Sequence, residues 1–131
     1  MGEEPRSPIR ILFVEDMKQD VERAVYQLRR SGVACEWQRV ETEPDLLRQL
    51  HEFGPDLILS DFSLPQFDGM SALRVARQKA PAVPFLFLSG TIGEERAIQA
   101  LRAGAVDYVL KENMARLAPA IQRALDEAEA R

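Results

Sequence analysis

At 131 residues, with 17 basic against 21 acidic side chains and a formal charge of −4, the sequence has the length of one compact domain. It shows no basic cluster that would argue for direct nucleic-acid binding and no apolar run near the ~20 residues that cross a bilayer, so neither nucleic-acid contact nor membrane insertion is expected. Its single cysteine, Cys35, permits no intrachain disulfide and fits a reducing, cytoplasmic setting.

The opening MGEEPRSP is acidic and proline-containing, unlike the basic-then-apolar order of a secretory signal, and Arg6 stands where a myristoylation motif needs Ser or Thr. A flexible leader over 1–8 is therefore expected ahead of a domain over 9–131. IRILFV, from Ile9 to Val14, predicts a buried strand. Lys18 to Arg30 follows with Val21, Ala24, Val25 and Leu28 on one helical face, and Ser31-Gly32 stops that helix. ACEWQRV reads as a weaker second strand. Thr42 with Asp45 three residues on resembles a capping box for a helix carrying Leu46, Leu47, Leu50 and Phe53, which Gly54-Pro55 ends. DLILS is the third strand, followed by a loop and a helix from about Gly69 to Lys79. PFLFLS is the fourth, followed by a glycine-rich turn and a helix near Glu94 to Arg102. VDYVL is the fifth, and the last helix is expected from about Met114 to Glu129, where Met114, Leu117, Ile121, Ala124 and Ala128 recur at spacings of three and four.

Strands alternating with helices predict an α/β fold in which right-handed crossovers build a parallel sheet covered on both faces. Strands one, three and four, nearly continuous in apolar residues, belong at the centre of that sheet, and ACEWQRV, with polar residues interleaved, at an edge. In such sheets the chemistry gathers beyond the carboxyl ends of the strands, where the winding direction reverses.

The residues at the strand ends are accordingly informative. Glu15-Asp16 come after the first strand, Asp61 after the third, Ser89 closes the fourth and Lys111 comes after the fifth. Three carboxylates within about 5 Å would repel by roughly 3 kcal/mol per pair at an effective dielectric of 20, so such a cluster needs cations. Lys111 supplies one. The remaining excess of hard oxygen suits Mg²⁺, which binds one or two carboxylates together with waters and phosphate oxygens. The chemistry is that of a phosphoryl site: Asp61 as a carboxylate nucleophile, Glu15 and Asp16 carrying the metal, Ser89 donating a hydrogen bond to a phosphoryl oxygen and Lys111 pairing with its charge.

Four stretches, FVED, SDFSLPQFDG, FLSG and DYVLK, resemble the receiver domain of two-component response regulators, and the match runs from about Ile9 to the end. Proline four residues and glycine eight residues after the aspartate agree at Pro65 and Gly69, and the aromatic position three before the lysine agrees at Tyr108. The resemblance implies a flavodoxin-like (βα)5 three-layer sandwich with sheet order 2-1-3-4-5. It implies a phosphoacceptor rather than an enzyme, taking a phosphoryl group from a sensor histidine kinase or histidine phosphotransfer protein onto Asp61 as 4-aspartylphosphate. Asp16, Asp61 and the Ser63 backbone carbonyl would ligate Mg²⁺ directly, with Glu15 acting through water. It also implies a switch in which Ser89 and Tyr108 move on phosphorylation and remodel the face formed by helix four, strand five and helix five, toward a downstream protein partner or an attached output domain. SGTIGEE and DYVLKENMARLAPAIQRAL resemble receivers attached to, or working beside, hybrid sensor histidine kinases. Two departures are visible: Lys111 is followed by Glu112 where the family usually has proline, and Gly90 stands where many members have alanine.

Each residue alone has an ordinary explanation. Asp16 with Gln19 could cap a helix, Asp61 could close an Asx turn, Ser89 could be a loop hydroxyl and Lys111 a solvated surface lysine. Their joint placement after four different strands outweighs those readings. His51 reads as an exposed helix residue, Cys35 as strand packing, and Trp37 as edge cover or a contact residue. A flavin or nucleotide binder of this fold would need a Gly-, Ser- or Thr-rich loop after strand one, where EDMKQD is acidic. A phosphohydrolase would want a second acid or base two residues after Asp61, where Ser63 stands. The stronger rival is a phosphorylation-independent, receiver-like interaction module.

Overall fold

The computed structural model describes residues 8–90 and 92–130. All but the last residue of the expected 1–8 leader thus lies outside the described residues. The chain runs β1 (Ile9–Val14), α1 (Lys18–Arg30), β2 (Cys35–Val40), α2 (Glu43–Glu52), β3 (Leu57–Ser60), α3 (Gly69–Lys79), β4 (Phe85–Ser89), α4 (Glu94–Arg102), β5 (Asp107–Leu110) and α5 (Leu117–Glu129), with a 3-10 segment over Lys111–Arg116. All neighbouring strand pairs are parallel and the order is β2-β1-β3-β4-β5, a flavodoxin-like sheet. No helix among the described residues is long and apolar enough to cross a membrane.

Strand periodicity divides the core in two. Ile11 and Phe13 of β1 join Leu57 and Leu59 of β3 beneath Val21, Ala24, Val25 and Leu28 of α1 and Leu117, Ile121 and Ala124 of α5. The alternate residues, Leu12 and Val14 with Ile58, Phe85 and Phe87, face the other way, toward Leu46 of α2, Ala72, Leu73 and Ala76 of α3, and Ala97 and Ala100 of α4. Because helices cover both faces, β1, β3 and β4 are apolar without alternation. β2 shows the edge pattern: Cys35 and Val40 are buried while Glu36 and Gln38 are exposed. Trp37 covers that edge, its ring meeting Phe13 edge-on at 6.2 Å between centroids.

Local signals account for the helix ends. Gly32 and Gly54 adopt φ of +83° and +61°, the left-handed backbone that ends a helix without a Cβ clash. Thr42 Oγ1 accepts from the Asp45 amide at 3.3 Å, half of the expected capping box, while the Asp45 carboxylate turns instead to Arg48 at 2.6 Å. Asp68 caps α3 by accepting from the Ser71 amide at 2.9 Å.

The last helix departs from expectation. It begins at Leu117 rather than Met114, after the 3-10 segment, which contains a kink at Asn113. Pro119 explains the difference. In an α-helix starting at Met114 its ring would collide with the Ala115 carbonyl, whereas starting at Leu117 leaves Pro119 in the first turn, where no amide proton is needed. Met114 kept the helical period only because it is itself buried in the core.

Candidate functional site

The sheet register assembles the site. Val14 lies across from Ser60 and Ser60 across from Phe87, so the residues after β1 and β3 and the end of β4 emerge at one edge. The winding reverses between β1 and β3, which makes this edge the crevice where α/β sheets bind their ligands. Backbone bonds extend the strands into it: the Glu15 amide donates to the Val40 carbonyl at 3.0 Å and the Asp61 amide to the Val14 carbonyl at 2.8 Å. Beneath Asp61 the chain turns tightly. The Gly69 amide donates to the Phe62 carbonyl at 3.0 Å, and Phe62 packs on Phe87 with ring centroids 5.1 Å apart.

Carboxylate oxygens of Glu15, Asp16 and Asp61 lie within 4.8 Å of one another. This donor set is anionic and all oxygen, which fits a hard divalent cation. The ordinary explanation for Asp16 fails, because the residue before α1 is Met17 and no side chain caps that helix. An Asx turn at Asp61 is also weak, since the Ser63 amide reaches Asp61 Oδ1 at only 3.5 Å. Ser89 Oγ donates to that same oxygen at 3.2 Å. Lys111 Nζ stands 3.4 Å from Asp61 Oδ2 and 2.7 Å from Glu15 Oε1, so it is a half-buried partner of the cluster rather than a free surface lysine. All the strand-end residues singled out in the sequence therefore meet at one edge.

One participant was missed. Asp20 Oδ2 lies 2.7 Å from Lys111 Nζ, as close as Glu15. Its signal was present in EDMKQD: Asp20 stands one helical turn after Asp16, and with Val21 committed to the core its neighbour on α1 is carried toward the sheet edge.

Burial pushes the Glu15 carboxyl up to about 7, although hydrogen bonds from Lys111 and the Met17 amide hold it lower than burial alone would. For Lys111 burial works against the charge, but the hydrogen bonds to Asp20 and Glu15 prevail and raise its pKa. The Glu15 value has a stability consequence. A carboxyl whose folded pKa exceeds its unfolded one binds protons better in the folded state. Its contribution is full below the unfolded value of 4.5 and lost as pH rises through about 7, a fall of about 3 kcal/mol in the metal-free protein. Glu15→Gln is expected to abolish this slope, read as the difference in urea-unfolding free energy between the two proteins at about pH 5 and about pH 8.

The end of β5 shows how Lys111 is held without a following proline. Arg116 folds back from the 3-10 segment, donating to the Tyr108 carbonyl at 3.0 Å and to Asp107 Oδ2 at 3.1 Å, while Met114 is buried beneath. Tyr108 is half-buried against the α2–α4 side of the core. A Cβ added at Gly90 or Gly93 would meet no atom within 4 Å, so neither position needs glycine for space. His51 is exposed and Cys35 is a buried free thiol packed in the core.

Residues 11–122 match the response regulator receiver domain family. The chain is 32% identical over 91 residues to the DNA-binding transcriptional regulator NtrC of Proteus hauseri, covering 70% of this chain and 18% of that protein. Among solved structures it is similar to the CheY-like response regulator receiver domain protein of Methanospirillum hungatei JF-1, with a TM-score of 0.80 and 28% identity over 95% of this chain and 98% of that one. It is likewise similar to NtrX of Brucella abortus, with a TM-score of 0.83 and 26% identity over 95% of this chain and 28% of that one. The chain spans 18–19% of the length of curated relatives such as NtrC and the ZraR proteins of Salmonella. A family match over most of the chain, on a parallel sheet of this order, is decisive: the chain belongs to the receiver domain family of two-component response regulators.

Proposed function

We propose that Asp61 is the phosphoacceptor, taking a phosphoryl group from a phosphohistidine on a sensor histidine kinase or histidine phosphotransfer protein. The observation that carries this reading is the convergence of Ser89 Oγ at 3.2 Å and Lys111 Nζ at 3.4 Å on the two oxygens of a single carboxylate. An Asp61 oxygen attacks phosphorus in line with the imidazole nitrogen. The new O–P bond forms as the N–P bond breaks, and the electron pair returns to the imidazole. Ser89 donates to a phosphoryl oxygen, and Lys111 balances the charge that arrives. Asp16, Asp61 and the Ser63 backbone carbonyl would hold Mg²⁺, with Glu15 acting through water. Bound there, the ion supplies charge neutralisation at the phosphoryl oxygens.

In this reading the phosphoryl group draws Ser89 toward it and Tyr108 follows inward, changing the face of α4, β5 and α5. That face already carries apolar surface, with Ile98 and Leu101 of α4 exposed by 43% and 42%. Its recipient is an output domain on the same polypeptide or a separate protein partner. Residues 9–131 are assigned to a single receiver unit, because α5 packs on the same core as α1 and β1.

Incubation with Mg²⁺ and acetyl phosphate, read by intact mass, tests the assignment. A gain of one phosphoryl group, lost on chelation, is expected. No gain would instead favour the phosphorylation-independent interaction module.

A further inference from the structure

The Lys111 ammonium has three N–H donors and meets three carboxylates. Glu15 Oε1 and Asp20 Oδ2 lie at 2.7 Å, while Asp61 Oδ2 is farther away at 3.4 Å. The lysine is thus drawn off the proposed phosphoacceptor by its other two partners. Glu15 belongs to the acidic group beside Asp61, but Asp20 lies outside it, in the first turn of α1, and is tied to the site by its ion pair with Lys111. The position of Asp20 is fixed from below by Val21, which is fully buried, and from the side by Arg23, whose guanidinium stands 3.8 Å from the other Asp20 oxygen.

We propose that Asp20 is a positioning residue for Lys111, a rival carboxylate that holds the ammonium toward α1 and so limits how strongly it can engage a phosphoryl group on Asp61. The inference rests on the phosphoacceptor reading above and adds a residue to it. When a phosphoryl group joins Asp61, its terminal oxygens call on the same three donors. Asp20 keeps one of them, because its charge is unchanged by the transfer. Arg23 moderates the rivalry by sharing the Asp20 charge. Receiver activity in this chain is therefore set in part from α1, with no contact between Asp20 and the phosphoryl group.

Asp20→Asn removes the charge and preserves the shape. Beryllofluoride, a phosphoryl mimic, is expected to bind the Mg²⁺-loaded variant about fivefold more tightly than the wild type, with a similar gain in the initial rate of phosphorylation by acetyl phosphate. Asp20→Glu restores the charge and should return both values to within about twofold of wild type. The gain must vanish when Asp20→Asn is made in a Lys111→Met background, because the effect acts through that lysine. Persistence there would show a general charge effect and overturn the proposal, as would an unchanged single variant in a protein whose wild type takes up phosphoryl normally. A wild type that takes up none would overturn the phosphoacceptor reading as well. Thermal unfolding establishes that each variant is folded, and Asp20→Ser substitutes for Asp20→Asn if the latter is not.

Discussion

Asp61→Asn should reduce phosphoryl uptake from acetyl phosphate by at least about 100-fold while leaving the domain folded. The amide has the shape of the carboxylate but lacks its anionic oxygen, so the acyl-phosphate bond cannot form. One amide oxygen remains to accept from either Ser89 or Lys111, which meet different oxygens of the carboxylate, and the amide NH2 takes the other place. The fold should tolerate the change, because Asp61 is one of three carboxylates crowded within 4.8 Å and its neutralisation relieves repulsion in the metal-free protein. Loss of uptake together with an unfolding midpoint at or above that of wild type is the expected pair of results. Uptake that survived at another residue would move the acceptor away from Asp61.

Gly69→Ala should do the opposite, damaging the fold and through it the site. A Cβ at residue 69 would lie 2.6 Å from the Asp61 carbonyl oxygen, 2.7 Å from Phe87 Cε1 and 2.8 Å from Phe62 Cα. Two of these are backbone atoms and the third belongs to a fully buried ring, so none can give way locally. The strand end carrying Asp61 must shift, with an expected loss of about 3 kcal/mol, near the upper range for overpacking, and a fall of about 10 °C in the unfolding midpoint. Gly90→Ala is the control. With nothing within 4 Å of its Cβ position and no positive φ, its expected change is within about 0.5 kcal/mol. Equal effects at the two glycines would refute the packing account. The glycine eight residues after Asp61 is thus required by a close backbone approach.

The contrast between what was legible and what was not reflects the range of the signals. Glu15, Asp16, Asp61, Ser89 and Lys111 could be gathered from the sequence because a parallel sheet forces the carboxyl ends of its strands to one edge, so position along the chain already implies position in space. Asp20 belongs to a helix, where facing depends on rotation about the axis, and that rotation is fixed only when Val21, Ala24 and Leu28 pack. The start of α5 was misplaced because burial of Met114 imitates helical periodicity, although Pro119 carried the correcting information. The Arg116 clasp on Asp107 and Tyr108 was invisible for another reason. Arginine and aspartate nine residues apart meet only across a kinked 3-10 segment, and no regular period predicts that distance.

Lys111 and Asp20 stand 91 residues apart in the sequence, and Lys111 and Asp61 stand 50 apart. The longer of these loops, like those closed where α1 meets α5, encloses most of the chain. Closing such loops is among the later and slower events in assembling a parallel sheet. A chain in which β1 through β4 have formed but β5 has not docked would hold Glu15, Asp16 and Asp61 without Lys111 to balance their charge. On the phosphoacceptor proposal, acceptance of a phosphoryl group would thereby depend on completion of the fold, since the lysine that balances Asp61 arrives only with the end of β5.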